Sequence, residues 1–271
     1  MNFKLEIPSP LSYFSTLVQS DEHFPLLEAA VSLAQDEYPD LDVQHVLGEV
    51  DHLLARLKRR IPADASALHR LRVLNHLFFD ELGFRGNVNN YYDPDNSFIS
   101  QVLKTRQGIP ISLAVLWLEV AWGVGLKATG VNFPGHFLIK VQMSSPNEGQ
   151  VVIDPFTGRS LSKEDLLEML SGLMSLPDKL GQLSSEEGGV GEGSTDANAN
   201  TDANTDANTP DWTPSAEVML MHYLKRASER DILKRMLFNL LEIYKNQNDP
   251  VRQKQTEQRL EILGASAQPL S

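Results

Sequence analysis

The sequence predicts an α+β fold, in which helices surround a core of one buried helix and a small antiparallel sheet, with a helical tail at the C-terminal end. Three observations predict it. Residues 24–82 repeat apolar side chains at helical spacing in three successive segments. The segment from Pro110 to Gly123 carries only Ser112 and Glu119 as polar residues, the mark of a helix buried mid-domain. Residues 127–153 then read as strands, the last two separated by the turn-rich loop MSSPNEG.

Taken in order, Phe24–Tyr38 places Leu27, Ala30, Val31 and Ala34 on one face, and Leu41–Arg60 does the same with Val43, Val46, Leu47, Val50, Leu54 and Leu57. The second helix ends in Lys58-Arg59-Arg60 before Pro62, a stop that also suits the helix dipole. Asp64 is the expected cap of a third helix, whose stripe is Leu68, Leu71, Leu74, Leu77 and Phe78. The stretch GFRGNVNNYYDPDN is dense in turn residues and reads as a loop, with Asp95 or Asn96 capping a short helix behind it. Pro110 suits the first turn of the apolar helix, where a missing N–H costs nothing. Lys127–Phe133, His136–Gln142 and Gln150–Ile153 are the expected strands, and Ser162-Lys-Glu-Asp resembles a capping box for the helix that follows.

Residues 184–213 collapse into Gly, Glu, Ser and the near-repeat TDANANTDANTDANTP, a composition expected to be disordered and to act as a spacer. The domain organisation is therefore a main domain over 1–183, a low-complexity linker over 184–213 and a helical tail over 214–264. The tail is too small for a core of its own and should dock on the main domain or on a partner.

Composition narrows the function classes. A formal net charge of -12 argues against nucleic acid or an anionic membrane as partner. With no cysteine there are no disulfides, thiolate metal sites or cysteine nucleophile. The opening residues lack a signal-peptide pattern, and the longest apolar run, Val115–Gly125, is interrupted by Glu119 and too short to span a bilayer. A soluble, cytoplasmic protein is expected. No cofactor or metal is expected either: His45, Glu49 and His52 share one helical face, as do His69 and His76, but without a compact motif such as H-E-x-x-H they read as surface histidines.

The chemistry gathers between Thr105 and Gly158. A hairpin turn centred on Ser145 places His136 directly opposite Asp154, about 5 Å apart between Cβ atoms. Phe137, Ile139, Val141, Val151 and Ile153 then fall on the other, apolar face. Such a pair orients an imidazole and raises its basicity, as in triad chemistry, or it ties the open end of the hairpin. A nucleophile would come from the first turn of the buried helix, where free N–H groups stabilise an oxyanion, and Ser112 is the hydroxyl available there. Ser112 equally reads as an ordinary first-turn serine. Glu119, in so apolar a helix, should be paired with Arg106, Lys140 or His136. Tyr91, Tyr92, Asn132, Phe133, Pro134 and Phe156 flank the pair and either pack the loops down or line a groove for a peptide.

The motifs NYYDPDNSFI, TRQGIPISLAVLWLEVA, GVNFPGHFLIK and VIDPFTG resemble the SirB-type subgroup of transglutaminase-like proteins, relatives of the papain-like cysteine proteases. The resemblance spans Asn87–Gly158, and the tail, with KRMLFNLLEIYKNQNDPVRQKQTEQRLEIL, is similar to that group's tetratricopeptide-like helices. It implies a papain/transglutaminase-like core in which His136 and Asp154 match the catalytic His and Asp positions. The cysteine slot falls on Pro110, as it does in the subgroup. Ser112 lies two residues beyond that slot, about 200° around the helix. Two functions follow. One is a catalytically degenerate protein-binding or scaffold module that holds a polypeptide in its cleft and on its tail. The other is an acyl-transfer enzyme, a protease, amidase or transamidase, using Ser112, His136 and Asp154.

Overall fold

Side-chain caps decide where most helices begin. The computed structural model describes residues 8–22, 24–143, 149–174 and 216–265. A first helix that the periodicity did not announce, α1 (Pro10–Leu17), starts with Pro in its first turn and with Ser9 Oγ accepting from the Ser12 amide. It is followed by α2 (Leu26–Ser32), which tightens into a 3₁₀ turn over Leu33–Asp36. Helix α3 (Val43–Lys58) is capped by Asp42, whose carboxylate accepts from His45 N at 3.1 Å. The cap of α4 (Ala67–Asn75) is Ser66 and not Asp64: the hydroxyl of Ser66 reaches His69 N, two residues later than expected. The same helix runs on as a π turn over His76–Glu81 that buries Leu77 and Phe78 together.

The turn-rich loop contains more order than its composition suggests. Arg85–Gly86 form a two-residue strand, β1, parallel to β2 (Gln107–Gly108). Asp93, rather than Asp95 or Asn96, caps a 3₁₀ turn over Pro94–Asn96, and the next helix, α5 (Ile99–Thr105), begins behind Phe98. Arg106 then turns the chain with φ 60, a left-handed conformation that ends α5 directly before β2.

Helix α6 (Pro110–Gly123) is the axis of the core. Its residues from Pro110 to Leu118 are buried, and Trp117, fully enclosed, donates from Nε1 to Asn75 Oδ1 at 3.0 Å. The sheet packed on it is an antiparallel meander of β3 (Lys127–Val131), β4 (Leu138–Met143), β5 (Gly149–Ile153) and the short β6 (Ser160–Leu161). Of the expected apolar face, Phe137, Ile139, Val141 and Ile153 are buried and Val151 is half-buried, while Leu138 and Val152 on the other face are buried as well.

The register differs from the expected one. Ile139 pairs with Ile153 and Gln142 with Gln150, so the hairpin is centred one residue later than Ser145. His136 and Asp154 consequently lie outside the paired strands, each in its own turn, rather than opposite one another on the ladder. Strand β3 also ends at Val131 rather than Phe133.

By contact density the chain forms two compact units, Met1–Leu161 with Leu224–Ser271, and Ser162–Tyr223. In the first, α9 (Glu229–Asn246) and α10 (Pro250–Ile262) join the main core through Ile232, Leu233, Met236, Leu237, Leu241, Leu260 and Leu263. Their ends are set by a Ser228–Asp231 capping box and by Asp249. Gly130 on β3 admits them: a Cβ there would stand 2.6 Å from the Phe137 ring and 3.0 Å from Ile232 Cδ1. The second unit contains α7 (Lys163–Met174), opened by the expected reciprocal bonds of Ser162 and Asp165, and α8 (Ala216–Tyr223). There Leu166, Leu170 and Leu220 are buried, and Lys163 pairs with Glu217. The proposed spacer, 184–213, lies outside the described residues. Among the described residues, no helix is long and apolar enough to cross a membrane.

Candidate functional site

Two turns build the site. The first is Phe133-Pro134-Gly135-His136: His136 N donates to Phe133 O at 3.1 Å, and Gly135 has φ 65. Proline at the second position and a left-handed glycine at the third are the pattern of a type II turn. The second is the DPFTG motif that ends β5. Pro155 stops the strand, Asp154 Oδ1 accepts from Phe156 N at 2.8 Å, and Oδ2 accepts from Thr157 Oγ1 at 2.7 Å. Gly158 closes this turn with φ 75 and its N–H on Asp154 O, and its bare Cα faces the Phe79 ring.

The turns bring His136 Nε2 to 2.8 Å from Asp154 Oδ1. Burial by itself would raise the Asp154 pKa, but the bonds from His136, Thr157 and Phe156 reverse the effect and hold it below its ordinary value. An ionised carboxylate only accepts, so Nε2 carries the proton of the pair. Nδ1, the other ring nitrogen, makes no hydrogen bond among the described residues. The predicted pair therefore forms, through turns rather than through strand register.

Ser112 is placed differently. It is fully buried, and its hydroxyl lies 2.6 Å from Asn96 O and 3.0 Å from Ile109 O. Its single proton is directed to these carbonyls, and no hydrogen bond joins it to His136. A Cβ on Gly108 would approach this hydroxyl to 2.7 Å, so the Gly-Ile-Pro entry closes over it. Pro110 occupies the first position of α6.

The aromatic residues divide into two groups. Tyr91 and Tyr92 are exposed and meet edge to face at 5.4 Å, and Tyr91 lies 6.1 Å from the half-buried Phe156. Phe156 in turn covers Gly86, where any side chain would collide with its ring, and its carbonyl accepts from Gly86 N at 2.8 Å. Phe133 is a core residue with no exposed side chain, whereas Asn132 is exposed and Pro134 half-buried. Glu119 has none of the partners expected for it. It makes no ion pair among the described residues, burial raises its pKa, and nearby Asp51 raises it further.

Two residues complete the site: Asn96, expected only as an alternative helix cap, and Arg235, to which the sequence assigns no role. Asn96, buried in the loop, donates through Nδ2 to Asn90 O at 2.6 Å and Tyr91 O at 3.2 Å, and accepts from Asn87 Nδ2 at 3.0 Å. Its own carbonyl receives Ser112 Oγ and, at 3.2 Å, Ile109 N. It thus fastens the tyrosine loop to the start of α6. The density of Asn in NVNNYYDPDN was the available signal. Arg235, from α9, donates through Nη1 to Phe133 O at 3.2 Å and lies 3.4 Å from Asn132 Oδ1. Nothing local in its helical pattern pointed to this.

Comparison with known proteins places the chain among relatives. A UPF0162 protein of Xylella fastidiosa is 40% identical over 149 residues, 55% of this chain and 52% of the relative. One from Pseudomonas aeruginosa is 28% identical over 239 residues, covering 88% of this chain and 72% of the relative. Human F-box only protein 21 is 30% identical over 146 residues, 46% of this chain and 23% of that protein. The chain spans about half the length of the first of these relatives. No solved structure matches it. The model of the transglutaminase-like superfamily matches residues 44–185, more than half of the chain and the part that holds α6, the sheet and the His136–Asp154 pair, so the chain belongs to the transglutaminase-like superfamily.

Proposed function

We propose that this is a transglutaminase-like domain that has exchanged acyl-transfer chemistry for the binding of a polypeptide, with proline in the cysteine slot as in the SirB-type subgroup it resembles. Pro110 carries the reading: it stands in the first turn of α6, on the slot where the superfamily's cysteine is expected, and proline has no nucleophilic side chain. The chain offers no cysteine elsewhere to replace it. Ser112 is a poor substitute, because its proton is held by backbone carbonyls and Gly108 closes over it. Asp154 of the His136–Asp154 pair stands two residues before Phe156, whose ring lies 6.1 Å from that of exposed Tyr91, a combination of polar and aromatic groups suited to recognition.

The intact pair also favours a second reading, acyl transfer by Ser112, His136 and Asp154, which requires the buried hydroxyl to break its bonds and emerge. A fluorophosphonate probe separates the two: labelling of wild type that Ser112→Ala abolishes would establish the enzyme. The binding reading is tested by comparing proteins captured by wild type, His136→Ala and Tyr92→Ala. Identical capture by all three, with each variant folded, would sink it.

A further inference from the structure

An arginine with no carboxylate partner, in a chain of net charge -12, calls for a reason. Arg235 is one. It belongs to no ion pair among the described residues and is half-buried, which lowers its pKa by desolvation. Its head is nevertheless fixed. Nη1 donates to Phe133 O, the same carbonyl that receives His136 N, and the guanidinium carbon lies 5.7 Å from the Phe137 ring centre. Nε and Nη2 make no hydrogen bond among the described residues, and neither is shut away from solvent. Those two nitrogens form the side edge of the guanidinium plane, the edge that grips a carboxylate with two parallel hydrogen bonds. Tyr91 is near enough for the charge of Arg235 to act on it, and Tyr92 packs against Tyr91.

We propose that the free Nε–Nη2 edge of Arg235, near Tyr91, receives the carboxylate of an acidic residue in the bound polypeptide. The proposal rests on the binding reading above and names the chemistry of its partner. Arg235 is held in place before binding, so little side-chain entropy is lost when the carboxylate arrives. A neutral amide of the same shape accepts through one atom only and brings no charge. A bidentate charged bond at a partly dehydrated site should favour the acid by about tenfold or more.

The test uses the full chain and fluorescent nonapeptide pools with a fixed central residue and randomised, non-acidic flanks. The central residue is Glu, Gln or phosphoserine, and binding is read by anisotropy. The expected result is tighter binding of the Glu pool than the Gln pool by about tenfold, a preference that Arg235→Gln removes and Arg235→Lys only weakens. Thermal melting verifies that the variants fold. Should Arg235→Gln fail to fold, the Glu-to-Gln ratio on wild type decides alone. Equal binding of Glu and Gln pools would overturn the carboxylate assignment, as would a stronger response to phosphoserine than to Glu. If the equal binding is also lost on Tyr91→Ala with Tyr92→Ala, the binding cleft stands and only the role of Arg235 falls. If no pool binds wild type, both readings fall.

Discussion

Asp154 and Glu119 are two carboxylates that burial drives in one direction and their neighbours in opposite ones. At Asp154 the donors from His136, Thr157 and Phe156 outweigh desolvation and depress its pKa from the ordinary 3.8. A depressed folded pKa contributes stability that is present above the unfolded value and lost as pH falls through the folded one. Below about pH 4, wild type should therefore lose melting temperature more steeply than Asp154→Asn; parallel acid limbs would refute the assignment. Glu119 runs the other way, because burial and Asp51 raise it from 4.5. The folded state prefers the protonated acid, so stability falls as pH climbs through the range above 4.5. Glu119→Gln should melt higher than wild type at pH 7, with the gap closing towards pH 4. The sequence marked Glu119 as a carboxylate in an apolar helix and demanded a partner for it. Its half-exposed position near the end of α6 lets it do without one. Ser112 could not be assigned from sequence for a different reason: the group that claims its proton is a carbonyl sixteen residues away, in a loop whose path no local spacing fixes.

At the level of elements, the helices were legible because amphipathic spacing and stop signals are local, and α6 was legible because it lacks a polar face. Register was not. A hairpin ladder depends on where the turn is centred, and shifting that centre by one residue moves every cross-strand partner by two. His136 and Asp154 still meet because each is positioned by its own turn, Pro134-Gly135 before the histidine and Pro155 to Gly158 after the aspartate. The small paired strands β1 and β2 were also hidden, since two residues carry no periodicity. Their role is spatial: Gly86 admits the Phe156 ring, and Gly108 admits the Ser112 hydroxyl and the Val102 side chain. Gly108→Ala should cost about 1–3 kcal/mol through overpacking against these buried neighbours. Because Ser112 is one of the colliding groups, Ser112→Ala should relieve part of that loss, giving a double variant less destabilised than the sum of the singles. Urea unfolding of the four proteins measures this, and additive losses would mean that the serine is not what the glycine makes room for. Asn96→Ala, which leaves the carbonyls of Asn90 and Tyr91 without their donor, should cost about 2–3 kcal/mol by the same measurement.

Across the whole molecule, the tail helices α9 and α10 are part of the main core, and charges stitch them to the opening helices. Arg230 bonds Asp21 and the Val18 carbonyl, Arg252 grips both oxygens of Glu37, and Arg259 bonds Asp36. These contacts join residues more than 200 positions apart, so the first and last segments of the compact unit stabilise one another. Arg259 is the most consequential of them, since its side chain is 4% exposed while Asp36 keeps 21%, and its guanidinium lies 5.7 Å from the Phe14 ring centre. A buried ion pair contributes little against an apolar replacement, but losing one partner strands the other charge away from water. Asp36→Ala should therefore destabilise the unit by about 3 kcal/mol, at the lower end of the usual range because Asp36 is partly solvated. Arg259→Leu removes the charge that needs a partner, and adding Asp36→Ala to it should then cost much less than Asp36→Ala costs in wild type. The expected coupling in this double-variant cycle is about 1–3 kcal/mol. A coupling near zero would place the stability of the tail in its apolar face alone, through Leu233, Leu237 and Leu260, and leave the ion pair without a part in joining the two ends of the chain.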